Sequence, residues 1–237
     1  MPNNEKIYID KYIAEFSQLS RRKAQELVSA KKVLVNGKIA KLNIRVNDSD
    51  TVMIDNQLLE PQKKQIIVIA YNKPKGIICT TEKIKDNIID AVAYPEKIYP
   101  IGRLDKDSEG LILLTNHNAL IDTVANPKFE HEKEYLVTLN LPIRNSFIKA
   151  IEEGIDIGIG VTKPAKASIV EGTKRVLEIT LEQGLNRQIR KMCNVHNYQV
   201  LKLQRIRVMN IHLNDLNVGK WRLLSEDEIN SLMELNK

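Results

Sequence analysis

The chain has 237 residues, 43% of them hydrophobic and 28% charged, and its 36 Lys/Arg against 30 Asp/Glu leave a net charge of +6. That length builds one large domain or a small one plus a larger one, with a core that needs no disulfide staples, and the moderate basicity favours a polyanionic partner. Two distant cysteines, Cys79 and Cys193, exclude a zinc ribbon and a disulfide scaffold, the longest apolar run (66–71) is too short to cross a bilayer, and residues 1–11 lack a signal-peptide layout, so a cytoplasmic enzyme or binding protein is expected.

Residues 1–60 are expected to form a small module of their own. Ile7, Ile9, Tyr12, Ile13 and Phe16 are spaced for a first helix. Ser20 can cap a second, with Ala24, Leu27 and Val28 as its buried stripe. Residues 33–40 read as a hairpin around Asn36-Gly37, which supply the positive φ angles of a type I′ turn. Residues 51–54 read as a further strand.

This module carries the charge. Residues 1–47 hold ten Lys/Arg against four acids, a surplus equal to that of the whole chain. Arg21, Arg22 and Lys23 fall in the first turn of the second helix, where cations oppose the helix dipole at up to ~1 kcal/mol each. A phosphate-binding face accounts for them, because the helix end presents N–H donors and guanidinium groups add forked contacts. A solvated charged turn is the plain alternative. Lys31, Lys32 and Lys38 nearby tip the balance toward nucleic acid. The polar stretch from Glu60 to Gln65, with Pro61, opens the expected linker (61–66), and a second domain spans 67–237.

In that domain residues 66–71, 111–115, 135–139, 176–181 and 200–213 read as strands, the last as one or two. Helices are expected after Asn116, which could cap one, over 145–153 with Gly154 as the stop, over 186–195, and after Ser225, where Ser225 and Glu228 form a capping box. This order favours an α+β domain with a mixed, mainly antiparallel sheet flanked by helices. A second basic run, 185–207, holds Arg187, Arg190, Lys191, Lys202, Arg205 and Arg207 and no acid. A helix face without its own acids lacks intrahelical pairs, which points to a phosphate or a carboxylate from elsewhere in the fold.

Residues 99–115 are the most informative. Asp105, Asp107, Glu109 and Gly110 superficially resemble the start of a calcium loop. Residue 116 is Asn rather than the bidentate Glu such a loop requires, and Leu111 to Leu114 fill its second half, so calcium is rejected. The chain shows no Walker motif, no dinucleotide-binding glycine fingerprint and no metal-ligand cluster. His117, His131, His196 and His212 lack zinc spacing.

Gly102-Arg103-Leu104-Asp105, followed by Ser108 and Gly110-Leu111, resembles the signature of RNA pseudouridine synthases. Asn72-Lys73-Pro74-Lys75-Gly76, Lys133-Glu134-Tyr135 and Gly184-Leu185-Asn186-Arg187-Gln188-Ile189-Arg190 resemble that family's other motifs, in the expected order. Ser20-Arg21-Arg22 and Val35-Asn36-Gly37 resemble the small α/β RNA-binding module (alpha-L motif) first known from a ribosomal small-subunit protein. The set is most similar to the ribosomal, RsuA-type branch, nearest the type-F synthases that act on the large ribosomal subunit. No basic tail follows the last helix, so no added affinity from one is expected.

The resemblance implies isomerisation of one uridine to pseudouridine in a stem-loop of large-subunit ribosomal RNA, with tRNA a further candidate. It implies a cytoplasmic monomer without cofactor, metal or membrane partner. Asp105 is implied to attack C1′ or take a sugar proton, Tyr135 to stack on the uracil and relay the C5 proton, and Arg190 to pair with Asp105. Arg103, expected to point away from Asp105, and Arg187 are read as RNA-binding, together with Arg21, Arg22, Lys23 and Lys38. Leu104 and Ile189 are read as pocket wall. One rival is a non-catalytic RNA-binding ribosome-assembly factor on the same scaffold, which needs none of Asp105, Tyr135 and Arg190. A glycosidase-like hydrolase would need a second, opposed carboxylate.

Overall fold

The computed structural model describes residues 6–17, 19–60 and 65–234. The chain forms two compact units, Met1–Gln65 and Ile66–Lys237. Most of the expected linker, 61–64, lies outside the described residues.

The first unit runs β1 (Ile7–Tyr8), α1 (Ile9–Phe16), α2 (Arg21–Ser29), β2 (Val33–Val35), β3 (Lys38–Ile39), β4 (Arg45–Val46), β5 (Val52–Ile54) and β6 (Gln57–Leu58). Its larger sheet has the order β3-β2-β5-β6. The apolar faces of α1 and α2 close over it: Ile9, Tyr12, Ile13, Ala24 and Val28 form one core with Val33, Val46 and Val52. Ser20 caps α2 by accepting from the Lys23 N–H at 3.2 Å. Asn36 and Gly37 take φ of 49° and 77°, as the expected hairpin turn requires. Asp55 and Asn56, at 47° and 65°, close a second such hairpin, which lacks the Asn-Gly cue and has no forecast in the sequence pattern. Ile7, expected in the first helix, lies in β1 instead, paired with Val46, because strand β4 satisfies its backbone before the helix begins.

The second unit runs β7 (Val68–Lys73), α3 (Ile88–Val92), β8 (Tyr99–Ile101), β9 (Glu109–Thr115), α4 (Asn118–Val124), β10 (Lys133–Leu139), α5 (Asn145–Glu153), β11 (Lys166–Ile169), β12 (Val176–Leu181), α6 (Gln188–Val195), β13 (Val200–Val208), β14 (Ile211–His212), β15 (Trp221–Leu223) and α7 (Glu226–Glu234). Nine strands make one sheet along β11-β12-β10-β13-β9-β7-β15, with β8 beside β9 and β14 beside β13. The β9–β13 pair is parallel and the neighbouring pairs are antiparallel, so the sheet is mixed and mainly antiparallel as expected.

Both faces of the sheet are covered. On one, Tyr71, Ile112 and Leu114 pack with Val137, Phe147, Ile151, Ile189 and Met192. On the other, Val68, Ala70, Leu111 and Leu113 pack with Leu120, Val124 and Leu232. Strands buried on two sides lose polar alternation, which is why 68–71 of β7 and 111–114 of β9 read as unbroken apolar runs. Each fully buried Leu or Ile contributes about 1.5–3 kcal/mol. Among the described residues no helix is long and apolar enough to cross a membrane.

Two local expectations change and one resolves. Asn116 does not cap a helix: its Oδ1 accepts from the Ile67 N–H at 2.9 Å, and α4 starts at Asn118 without a side-chain cap. Helix α6 starts at Gln188 because Arg187, at φ 52°, takes the left-handed conformation just before it. Residues 200–213 resolve into β13 and β14. At the C-terminal end the capping box forms in both directions, Glu228 N–H to Ser225 Oγ at 3.2 Å and Ser225 N–H to Glu228 Oε2 at 2.9 Å.

Candidate active site

The segment 102–108 joins two adjacent antiparallel strands, β8 and β9, and carries Arg103, Leu104 and Asp105. It is held by its backbone. Ser108 N–H donates to the Asp105 carbonyl at 3.0 Å, Leu104 N–H to Cys79 Sγ at 3.4 Å, and Gly76 N–H to the Lys106 carbonyl at 2.9 Å. Beneath it Lys73 is wholly buried, and its Nζ donates to the Pro74 and Ile77 carbonyls, both at 2.9 Å. Burial pushes the Lys73 pKa down, while the charges of Asp105, Asp107 and Glu109 pull it up. The Asn72–Gly76 motif therefore acts as the shelf under the Asp105 loop, a role that its resemblance to a family motif does not by itself reveal.

Arg103, Leu104, Asp105, Tyr135, Arg187 and Ile189 line one pocket of about 320 Å³. Tyr135 comes from β10, where it is 9% exposed and lies between Ile179 of β12 and Arg205 of β13. The far wall is shaped by an amide chain that no motif announced: Leu185 N–H donates to Gln188 Oε1 at 3.1 Å, and Gln188 Nε2 donates to Gln183 Oε1 at 2.9 Å. Arg103, expected to point away from Asp105, lines the same pocket, because residues two apart on an extended chain share a side.

Arg190 does not line this pocket. Its Nη2 donates to the Asp107 carbonyl at 3.1 Å and approaches Ser108 Oγ at 3.4 Å, and its Nε is buried without a hydrogen-bond partner among the described residues. The cation beside the carboxylate is Arg187, whose Nη1 lies 3.8 Å from Asp105 Oδ2 and 3.7 Å from Asp107 Oδ2. The expected Arg190–Asp105 pair is thus replaced by an Arg187–Asp105 contact. Arg187 sits ahead of α6 and reaches both carboxylates, whereas Arg190, inside the helix, meets the loop backbone.

The basic run acquires its acids from other strands. Arg207 pairs with Glu134 at 2.6 Å and Glu132 at 3.0 Å, and Lys202 with Glu109 at 2.9 Å. Arg205 is buried and donates to the Leu111 carbonyl at 2.7 Å.

Lys133, two residues before Tyr135, donates from Nζ to the His131 carbonyl at 2.8 Å. Burial, helped by the charge of Arg205, pushes its pKa down to about 8. Unfolding restores the ordinary value of roughly 10.4, so the unfolded chain binds more protons between those limits and stability rises with pH there. In urea melts at pH 7.5 and 9.5, Lys133→Met should lose this gain. An identical response in variant and wild type would refute it.

In the first unit Arg21 is also structural. Its Nε donates to Asp10 Oδ2 at 2.7 Å, and Gln25 Nε2 donates to the same oxygen at 2.7 Å. Burial opposes the Asp10 charge, but the hydrogen bonds from Arg21 and Gln25 outweigh it and hold the carboxyl below its usual range. Lys23 pairs with Glu26 at 3.0 Å, and the Arg22 side chain, 92% exposed, reaches the same carboxyl only at 3.9 Å. Lys38 lies exposed on β3.

Residues 67–195 match the family model of RNA pseudouridylate synthase, and residues 9–52 that of the S4 domain. The chain is 44% identical to the dual-specificity RNA pseudouridine synthase RluF of Escherichia coli (strain K12), over 97% of this chain and 79% of the relative. It is 32% identical to ribosomal large subunit pseudouridine synthase B of Bacillus subtilis (strain 168), over 96% of each. A crystal structure of a pseudouridylate synthase superposes with a TM-score of 0.69 at 30% identity, covering 95% of this chain and 99% of that one. With the family model spanning most of the unit that holds the pocket, and this identity over nearly the whole chain, the protein belongs to the RNA pseudouridine synthases of the RluF type and carries an S4 domain ahead of its synthase domain.

Proposed function

We propose that this enzyme isomerises one uridine in a stem-loop of large-subunit ribosomal RNA and also acts on a tRNA, as a cytoplasmic monomer with Asp105 as nucleophile. The names of its relatives, a dual-specificity RNA synthase and a large-subunit synthase, support two RNA substrates, one of them in the large subunit. The observation that carries the chemistry is that Asp105, from the segment between β8 and β9, and Tyr135, from β10, line one pocket. A binding factor without turnover needs no such pairing and is not favoured.

The Asp105 carboxylate attacks C1′ of the target nucleotide or removes a sugar proton, and the N1–C1′ bond breaks. The uracil turns and C5 joins C1′ as the Asp105–C1′ bond breaks or, on the other route, as the sugar takes its proton back; the proton on C5 is lost and N1 takes one up. Atoms and electrons balance within the nucleotide. The Tyr135 ring packs on the uracil and its hydroxyl relays the C5 proton. Leu104 and Ile189 form apolar wall, which excludes water from the broken bond. Arg187 supplies positive charge beside Asp105, while Arg190 braces the loop backbone, so the pairing role first read for Arg190 passes to Arg187. The target base has to leave its stack, which costs a few kcal/mol and least from a loop or bulge.

Pseudouridine-specific chemical mapping of RNA from wild-type and deletion cells tests the reading. Signals lost from one large-subunit position and one tRNA position are expected, and loss of none would sink it. In the S4 domain, Arg22→Ala should weaken RNA binding and reduce the salt slope by about 1 without moving the thermal midpoint. Arg21→Ala should in addition cost about 1–3 kcal/mol of stability, because the buried Asp10 carboxylate loses a donor. An unchanged salt slope for Arg22→Ala would argue against phosphate contact there.

A further inference from the structure

A second groove of about 650 Å³ runs along α6 to the start of β13. Arg187 lines both this groove and the uridine pocket, so the two share a wall. Arg190 and Lys191 add positive charge to it, and among the described residues no carboxylate lines it. It also holds amide side chains, including Asn140, Asn194 and Gln199.

The groove is built rather than loose. Gln199 N–H donates to Asn140 Oδ1 at 2.8 Å, and Asn140 N–H donates to the Gln199 carbonyl at 3.1 Å. Buried Tyr198 accepts the Arg144 N–H at 3.0 Å and lies under its guanidinium, 5.4 Å from the ring centre. Asn194, Val195 and Gln199 stay exposed around this frame.

We propose that this groove is a second nucleotide subsite, which binds the nucleotide adjacent to the target uridine in the same RNA strand and makes turnover depend on that neighbour's base. The inference rests on the reading of the first pocket as the uridine pocket. Cations without acids suit a phosphate, and amides offer donor and acceptor together to a base edge. Arg187 is placed to take the phosphate that links the two nucleotides. Its contacts with Asp105 and Asp107 are longer than hydrogen bonds, so a phosphate oxygen at closer range competes with them. Lys191 holds the far side of that phosphate, Asn194 and Gln199 read the base edge, and Val195 offers it an apolar surface.

The test uses the full chain and stem-loop RNAs that carry the mapped target uridine, with each of the four bases placed in turn on either side of it. Wild type should discriminate among bases at one flanking position by about 10-fold in kcat/KM. Asn194→Ala/Gln199→Ala should flatten that preference, with the loss falling on KM rather than kcat. Lys191→Ala should weaken binding of all the RNAs alike and lower the salt slope by about 1. Asn194 and Gln199 are exposed and Lys191 is half-buried, and equal thermal midpoints for the variants will show that the fold is intact. Turnover with the wild-type preference retained in the double variant would overturn the subsite alone. No turnover by wild type on any of these RNAs would overturn the uridine-pocket reading and the subsite with it.

Discussion

Asp105→Asn is expected to abolish pseudouridine formation, by at least ~10⁴-fold in single-turnover assays, while RNA affinity stays within several-fold. An amide oxygen neither attacks C1′ nor accepts a sugar proton, so both routes fail together. The loop should keep its shape. Its bracing runs through the Asp105 carbonyl and the Gly76–Lys106 backbone bond, not through the carboxylate. The described contact of that carboxylate is Arg187 at 3.8 Å, too long for a hydrogen bond to be lost. Filter binding beside the kinetic assay separates the outcomes. A large loss of affinity would make Asp105 a structural residue, and a rate within ~10-fold of wild type would remove it from the chemistry.

Gly110→Ala should be the most damaging of the small substitutions. Gly110 is the register partner of Arg205 at the parallel β9–β13 junction. A Cβ there would lie 2.3 Å from the Arg205 carbonyl oxygen and 2.7 Å from its nitrogen, and the backbone φ is +102°. The obstacle is main chain, and β13 is tied on its other side to Tyr135 through the Arg205 pairing in β10. Strained φ costs about 1–3 kcal/mol and overpacking about the same again. Against a typical total stability of about 5–15 kcal/mol, a loss of that size should lower the thermal midpoint by roughly 10 °C. Activity should fall as well, because the shifted strand carries the neighbour of Tyr135. A midpoint within ~2 °C of wild type would mean the junction can relax, contrary to this account.

Elements with strong local signals were legible in the chain. Helix α5 ends at Gly154 and β12 alternates cleanly, and both took the expected bounds. The short pieces α3, β8, β11 and β15 were not legible, because three to five residues give too little periodicity to separate from loop. Asn116 shows the limit of a cap signal: the same side chain serves equally well as acceptor for a distant backbone N–H, and β7 supplied one. In the pocket, residue types and their order were readable from the motifs, and six of the residues so chosen meet there.

By itself the sequence determined the two-part plan, the S4-like module with its surplus of positive charge, the mixed sheet and the set of groups available for chemistry. Those features rest on interactions near in the chain, namely turn preference, capping and burial period. Only the tertiary structure decided which charge meets which. It placed Arg187 rather than Arg190 beside Asp105, gave Arg207 and Lys202 carboxylates from β10 and β9, and committed Arg21 partly to Asp10. Charge pairing depends on separations of a few ångströms across strands and loops far apart in sequence. A run without acids in one dimension is therefore not a run without acids in three.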